Sequence, residues 1–508
     1  MLTRLKVNGF KNLIDVDVRF GPFTCVAGAN GVGKSNLFDA IRFLGALGDR
    51  SLLEAALSVR EEGGRSSDIR SLFHRAGNHN RQEMSFEAEI LLSPDGVDEF
   101  GQQATATATF LRYAVTLRYR DTGSIPLEII REELTPIRVS EARNHVLFLG
   151  ESSETGKWWK SVIVSSRSGR SFISTDGNED SRTIRLHPDG TGSRPPARSA
   201  VNLPRTVLST ATAGESPTAA LARMELRSWQ LLQLEPSAMR QPDVFTAPTR
   251  IGANGSHLAA ALYRLGHPHP RRVSEEGIAE DYAENVYSEV ANRLAELIED
   301  IRDVHVDMDE RRELYTLTVM GKDGTSHPAR ALSDGTLRFL ALSVLSLDPE
   351  THGVICFEEP ENGIHPARIP AVLKLLKDIA CDIHEPFGED NPLRQVIINT
   401  HSPIVVSQVD DNDLLVAEPL ETIQNGVRFK RVGFSVLDST WRARSEAATL
   451  VAKGKLLFYL NPSEISDSPR PPAEFGEGVD PSGKLSNSPG IRVMDRPDLQ
   501  VMLPGVSS

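Results

Sequence analysis

Only three cysteines, Cys25, Cys356 and Cys381, occur in 508 residues, and the first two sit inside apolar runs. So few exclude a disulfide framework and fit buried thiols in a reducing compartment. Aromatic residues are scarce, at 6%. No apolar run approaches the ~20 residues that span a bilayer. The opening MLTRLKVNGF has none of the apolar core that marks a secretory leader. Positive charge is in deficit, with 56 Lys and Arg against 69 Asp and Glu and a net charge of −13. That excludes a uniformly basic coat for nucleic acid while leaving room for a local basic groove. Together these absences predict a cytoplasmic protein with no membrane partner.

What is present is patterned. Leu5 and Val7, then Ile14, Val16, Val18 and Phe20, recur two residues apart, as half-buried strands require. The run FTCVAG (23–28) is continuously apolar, which predicts a buried central strand. Leu37, Ile41 and Leu44 then share one face of a helix. Further strands are expected at 84–92, 112–120, 313–320, GVICFEE, QVIINT and DLLVAE. Helices are expected at 218–232, 255–265, 275–302, 331–345, 367–380 and 438–452. The stretch 138–205 holds 11 Lys/Arg against 7 Asp/Glu, with Trp158 and Trp159. It reads as a solvated loop-rich insertion or as a nucleic-acid surface with stacking aromatics. The Pro-, Ser- and Gly-rich end of the chain predicts disorder.

Four short stretches carry chemistry. GANGVGKS (28–35) is a complete Gly-x4-Gly-Lys-Ser phosphate loop, set between a buried strand and an amphipathic helix. Asn30, Gly31 and Gly33 would wrap backbone N–H groups around phosphate oxygens, helped by the helix start at Ser35 and Asn36. Lys34 would reach the β- and γ-phosphates, and Ser35 would ligate Mg²⁺. VICFEEPENGIHP (354–366) sets Glu358 and Glu359 side by side where a buried strand ends, an unfavourable pairing unless a cation relieves it. Glu358 would help hold Mg²⁺ and Glu359 would act as general base on a water. His401, in QVIINTHSP just past another buried strand, can donate to the γ-phosphate. ALSDGTLRFLALSVL (331–345) opens a helix with a turn that offers a hydroxyl and N–H groups but no nucleophile.

The order GANGVGKS, LSDGTLR, ICFEEPENGIHP, NTHSP resembles the Walker A, signature, Walker B with D-loop, and H-loop series of ABC-type ATPases. Gly9-Phe10-Lys11-Asn12 resembles the RecF/SMC-like branch. SDGTLR and EEPENGIHP are similar to AAA-type ATPases related to the overcoming-lysogenisation-defect family, here without a TOPRIM nuclease domain. The resemblance implies an α/β fold, an ABC-type P-loop nucleotide-binding domain with a mixed sheet, an antiparallel N-terminal lobe, a helical lobe and an inserted loop-rich segment. It implies an N-terminal lobe at 1–137, the insertion at 138–205, a helical lobe at 206–310, a C-terminal lobe at 311–455 and a disordered tail at 456–508. It further implies ATP and Mg²⁺ as cofactors and a head-to-tail homodimer, open to higher assembly. In that dimer Ser333 and Gly335 meet the ATP of the partner, and Lys11 and Asn12 lie near the nucleotide. The function implied is an ATP-hydrolysing switch governing access to nucleic acid, DNA included, or a nuclease effector in phage defence or DNA repair. An ATP-binding scaffold or sensor and a transporter motor subunit are the alternatives. Asp334 replaces a glycine of the commoner signature, Glu358 stands where Asp is usual, and His365 stands where many D-loops have Asp. Gln82 is the candidate for a metal-sensing glutamine.

Lys34→Ala should abolish ATP binding measured by equilibrium dialysis; retained binding would remove the phosphate loop from the reading.

Overall fold

The strands expected from two-residue alternation pair with one another. Leu2–Asn8 runs antiparallel to Val16–Arg19 on one side and to Glu83–Leu91 on the other. Phe110–Tyr119 and Leu127–Pro136 extend this antiparallel sheet, which reaches eight strands. The structure, a computed structural model, describes residues 1–59, 68–77, 79–121, 126–150, 155–164, 169–179, 181–189, 197–267, 276–424, 426–452, 456 and 491–500.

A second sheet of seven strands holds the continuously apolar segments. Gln230–Leu232, Gly353–Glu358, Arg394–Thr400, Phe23–Ala27 and Leu414–Gln424 lie side by side and parallel. Val427–Val436 then folds back antiparallel. Strands buried on both faces need apolar residues at every position, and each face here meets its own core. Val26, Cys356, Ile397 and Leu415 point into a core shared with the antiparallel sheet and the helix Lys34–Leu47. Cys25, Ile355, Ile398 and Leu414 point into a second core with the helices Leu258–Gly266, Asp334–Leu347 and Ile369–Ile379. The chain is thus α/β, with a mixed sheet and an antiparallel one.

Several expectations change. The helix expected at 218–232 stops at Arg227, and Gln230–Leu232 becomes an edge strand beside Gly353–Glu358. The long helix spans Glu276–Leu297. Of its stripe, Val290, Leu294 and Leu297 are buried while Tyr282 is 45% exposed, and the Ile278 side chain lies outside the described residues. No helix forms over 438–452, only the short 3-10 turn Trp441–Arg444 and the strand Thr449–Leu450.

Residues 138–205 are more than loop. Ile173–Asp176, Thr183–Leu186 and Arg198–Ser199 add three strands to the antiparallel sheet. Trp158 and Trp159 are buried in a third core with Phe110, Cys381 and Leu393, so neither indole is free to stack on a base. In the segment expected as a tail, 457–490 and 501–508 lie outside the described residues. Residues 491–500 pack on the body: Val493 and Leu499 are buried, and Arg496 Nη1 meets Asp411 Oδ2 at 3.1 Å.

One buried carboxyl binds the antiparallel sheet to the segment that follows the insertion. Glu132 is fully buried. Its oxygens accept the N–H groups of Val207 (2.7 Å) and Leu208 (2.8 Å). Burial pushes its pKa up to about 7 against those hydrogen bonds. A carboxyl raised in the folded state binds a proton that the unfolded chain has released above the ordinary Glu range. Its contribution to stability is therefore greatest below that range and falls as pH rises towards 7. Chemical denaturation should show a pH-dependent loss of up to about 3 kcal/mol between pH 4.5 and pH 7.5. Glu132→Gln should flatten that slope; an unchanged slope in the variant would refute the assignment.

Candidate active site

The parallel register brings four strand ends to one edge. Leu232 lies opposite Phe357, Glu358 opposite Asn399, and Thr400 opposite Ala27. Ligands of open α/β sheets bind at such an edge. A cleft of about 640 Å³ opens there. Asn30, Gly31, Gly33, Lys34, Ser35 and Asn36 form one wall, and Gln233, Arg338, Glu358, Glu359, Asn362 and Asn399 are on the others.

Gly33 stands at φ +115° at the start of the helix Lys34–Leu47. A Cβ there would come within 2.3 Å of Asn12 Nδ2, so both conformation and space demand glycine. Asn12 braces the loop from behind, donating to Val32 O (2.9 Å) and accepting from Asn36 Nδ2 (2.7 Å). Lys11 does not line the cleft; it pairs with Asp39 on the same helix. Lys34 is buried and donates to Gly28 O (2.5 Å) and Ala29 O (3.0 Å). Burial lowers its pKa, partly offset by the charges of Glu359, Glu361 and Glu358. A phosphate in the loop would offer this ammonium a charged partner in place of neutral carbonyls.

The two adjacent carboxylates are separated by backbone conformation. Glu358 ends its strand, and Gln233 Nε2 donates to its Oε2 at 2.6 Å. Glu359 turns into the left-handed region at φ +44°, a conformation costly for a residue with a Cβ and concentrated at functional sites. Its N–H is held by Asn399 Oδ1 (3.0 Å). Asn362 Nδ2 donates to its Oε2 (2.8 Å), and His401 Nδ1 lies 2.6 Å from its Oε1. Burial pushes the Glu359 pKa up, but the Asn362 and His401 hydrogen bonds outweigh it and leave the carboxyl below its ordinary range. Glu359 is therefore ionised at neutral pH, as an acceptor of a proton from water must be. His401 does not itself line the cleft; it reaches it through Glu359.

Among the described residues no group of three or more His, Cys, Asp or Glu side chains is placed to hold a metal ion. The donors near the loop are the Ser35 hydroxyl, the Glu358 carboxylate and the Gln233 amide. That oxygen set suits Mg²⁺ delivered with phosphates better than a metal held by protein alone. Gln82 lies away at the antiparallel sheet, its carbonyl bonded to Tyr119 N–H. Gln233, not Gln82, is the glutamine that lines the cleft. The signal was the three-residue run QLL ended by a Gln, concealed because it continues the helical pattern of the preceding residues.

Ser333 and Gly335 do not line this cleft. Ser333 is exposed and caps the helix Asp334–Leu347, its Oγ accepting from Thr336 N–H at 3.2 Å. Asp334, the departure from glycine, is not the cap; it pairs with Arg240. From the same helix Arg338 reaches the cleft of its own chain and donates to Leu234 O at 3.1 Å. His365 caps the next turn, its Nδ1 accepting from Ala367 N–H (3.3 Å).

RecF, the DNA replication and repair protein of Clavibacter sepedonicus, is 32% identical over 114 residues, 22% of this chain and 27% of that protein. The chromosome partition protein Smc of Bacillus subtilis (strain 168) is 43% identical over 102 residues, 20% of this chain and 7% of Smc. The match therefore spans only a minor part of either relative. Among solved structures, an Smc head bound to the C-winged helix domain of ScpA aligns with a TM-score of 0.44 at 15% identity, covering 86% of this chain and 98% of that one. An Smc head with an extended coiled coil, bound to the C-terminal domain of ScpA from Pyrococcus furiosus, aligns with a TM-score of 0.40 at 14% identity, covering 86% and 96%. The family profile described as "AAA domain, putative AbiEii toxin, Type IV TA system" matches residues 23–100 and 159–407, well over half of the chain. Phosphate loop, acidic strand end and the helix that starts after Ser333 all fall within those limits, and the chain belongs to that AAA-domain family.

Proposed function

We propose that the chain is an ATP-hydrolysing switch that closes as a head-to-tail homodimer on ATP and reopens after hydrolysis. The observation that carries this reading is the setting of Glu359: an ionised carboxylate, held between His401 and Asn362, at the rim of a cleft lined by Lys34. Glu359 accepts a proton from water as the water oxygen attacks the γ-phosphorus. The bond to the β–γ bridging oxygen breaks, and ADP and phosphate leave. His401 holds Glu359 in line. Lys34 and the loop N–H groups take the charge on the β- and γ-phosphates. Ser35 and Glu358, with Gln233 beside them, would hold Mg²⁺, which when bound neutralises charge on the transferring phosphoryl oxygens.

The dimer follows from what each chain's own cleft lacks. Ser333 is exposed and lies off that cleft, so it has a nucleotide to meet only on a second copy. Two-fold pairing then makes two composite sites at once. Arg240 offsets the charge of Asp334, which would otherwise repel an approaching polyphosphate. The output we propose is control of nucleic-acid access or of an associated nuclease in phage defence or DNA maintenance. The family's description as a toxin of a type IV TA system and RecF's name as a DNA replication and repair protein agree with that setting.

Glu359→Gln should bind ATP normally, lose about 100-fold or more in phosphate release, and accumulate dimer in light scattering; native turnover would refute the base assignment. Gln233→Ala should raise the Mg²⁺ needed for half-maximal hydrolysis about ten-fold; an unchanged requirement would remove Gln233 from the metal's surroundings.

A further inference from the structure

Behind Glu359 lies a third carboxyl that the scheme above does not use. Glu361 sits in the turn after the strand Gly353–Glu358 and is 8% exposed. Its Oε1 accepts from the Thr400 hydroxyl, and its Oε2 has no partner. Burial and the charge of Glu359 push its pKa up, against the Thr400 hydrogen bond. A carboxyl buried with one oxygen unmet is costly, and an apolar side chain would fill the same space at lower cost.

What its hydrogen bond secures is the turn that presents His401. Thr400 Oγ1 also accepts the N–H of Ser402 at 2.9 Å. The carbonyl of Thr400 accepts the N–H of Gly28, the first residue of the phosphate loop, at 3.2 Å. His401 lies between these two anchors, its Nδ1 2.6 Å from Glu359 Oε1. Glu361 thus holds residues 400–402 from behind while Glu359 meets the imidazole in front. Without the buried acceptor nothing pins the Thr400 side chain in the rotamer that offers its oxygen to Ser402 N–H, and the turn that holds His401 on Glu359 is loosened.

We infer that Glu361 is a positioning residue of the hydrolytic site: by accepting from Thr400 it fixes the 400–402 turn so that His401 is aligned on Glu359. It works as a hydrogen-bond acceptor and carries no proton in the reaction. The inference rests on the reading of the preceding subsection.

The test is steady-state ATP hydrolysis by the full chain, together with binding of a fluorescent ATP analogue, for Glu361→Ala, Glu361→Gln and Thr400→Val. Glu361→Ala and Thr400→Val should lower kcat about ten- to hundred-fold while leaving KM and analogue affinity near native values. Glu361→Gln keeps an acceptor oxygen and should restore most of kcat. Native kcat in a folded Glu361→Ala, or a Glu361→Gln as slow as Glu361→Ala, would overturn the inference. So would a loss expressed equally in KM and analogue binding, which marks general collapse of the cleft. Should Glu361→Ala fail to fold, Thr400→Val decides: native kcat there also overturns it. A native chain without ATPase activity overturns both readings, whereas an active native chain indifferent to Glu361→Ala overturns this one alone.

Discussion

The parallel ladder between Phe23–Ala27 and Arg394–Thr400 joins segments far apart in the sequence. It continues one bond further, where Gly28 N–H donates to Thr400 O. The first residue of the phosphate loop is therefore locked to the residue before His401. Side chains alternate along both strands, with Val26 and Ile397 in one core and Cys25 and Ile398 in the other. A slip of one residue would send each to the wrong face. The register that satisfies both cores also sets the distance between loop and histidine.

At the same edge three carboxyls, Glu358, Glu359 and Glu361, fall within four residues. Left alike, they would repel one another. Each is instead placed in a different setting: Gln233 donates to Glu358, Asn362 and His401 hold Glu359, and Glu361 is buried against Thr400. The positive φ of Glu359 is what turns its side chain away from the strand direction that Glu358 keeps. Environments that push neighbouring carboxyls apart are how one short stretch supports several roles.

The start of the helix Asp334–Leu347 faces two ways. Its exposed start carries Ser333 and the Asp334–Arg240 pair, off the chain's own cleft. One turn later Arg338 touches Leu234 O inside that cleft, beside Gln233. The helix is packed throughout its apolar length, with Leu337, Phe339, Leu340 and Val344 buried.

Short-range information determined a good deal here: the phosphate loop, the apolar strands that flank it, the paired carboxylates at a strand end and the apolar helix that follows Ser333 are all spelled in consecutive residues. Period and turn chemistry are local properties, and local residues suffice to express them. Tertiary structure alone decided the rest. Gln230–Leu232 is too short to show a period and becomes a strand only because Ile355–Phe357 offers it an edge. Trp158 and Trp159 seemed available to solvent until Phe110 and Leu393 supplied a core to cover them. Residues 491–500 have little pattern of their own and gain their place from Val409 and Asp411. The contacts of Gln233 with Glu358 and of Glu361 with Thr400 arise in the same way, since a side chain's hydrogen-bond partner lies across the sheet and is set by register, which no stretch of neighbouring residues contains.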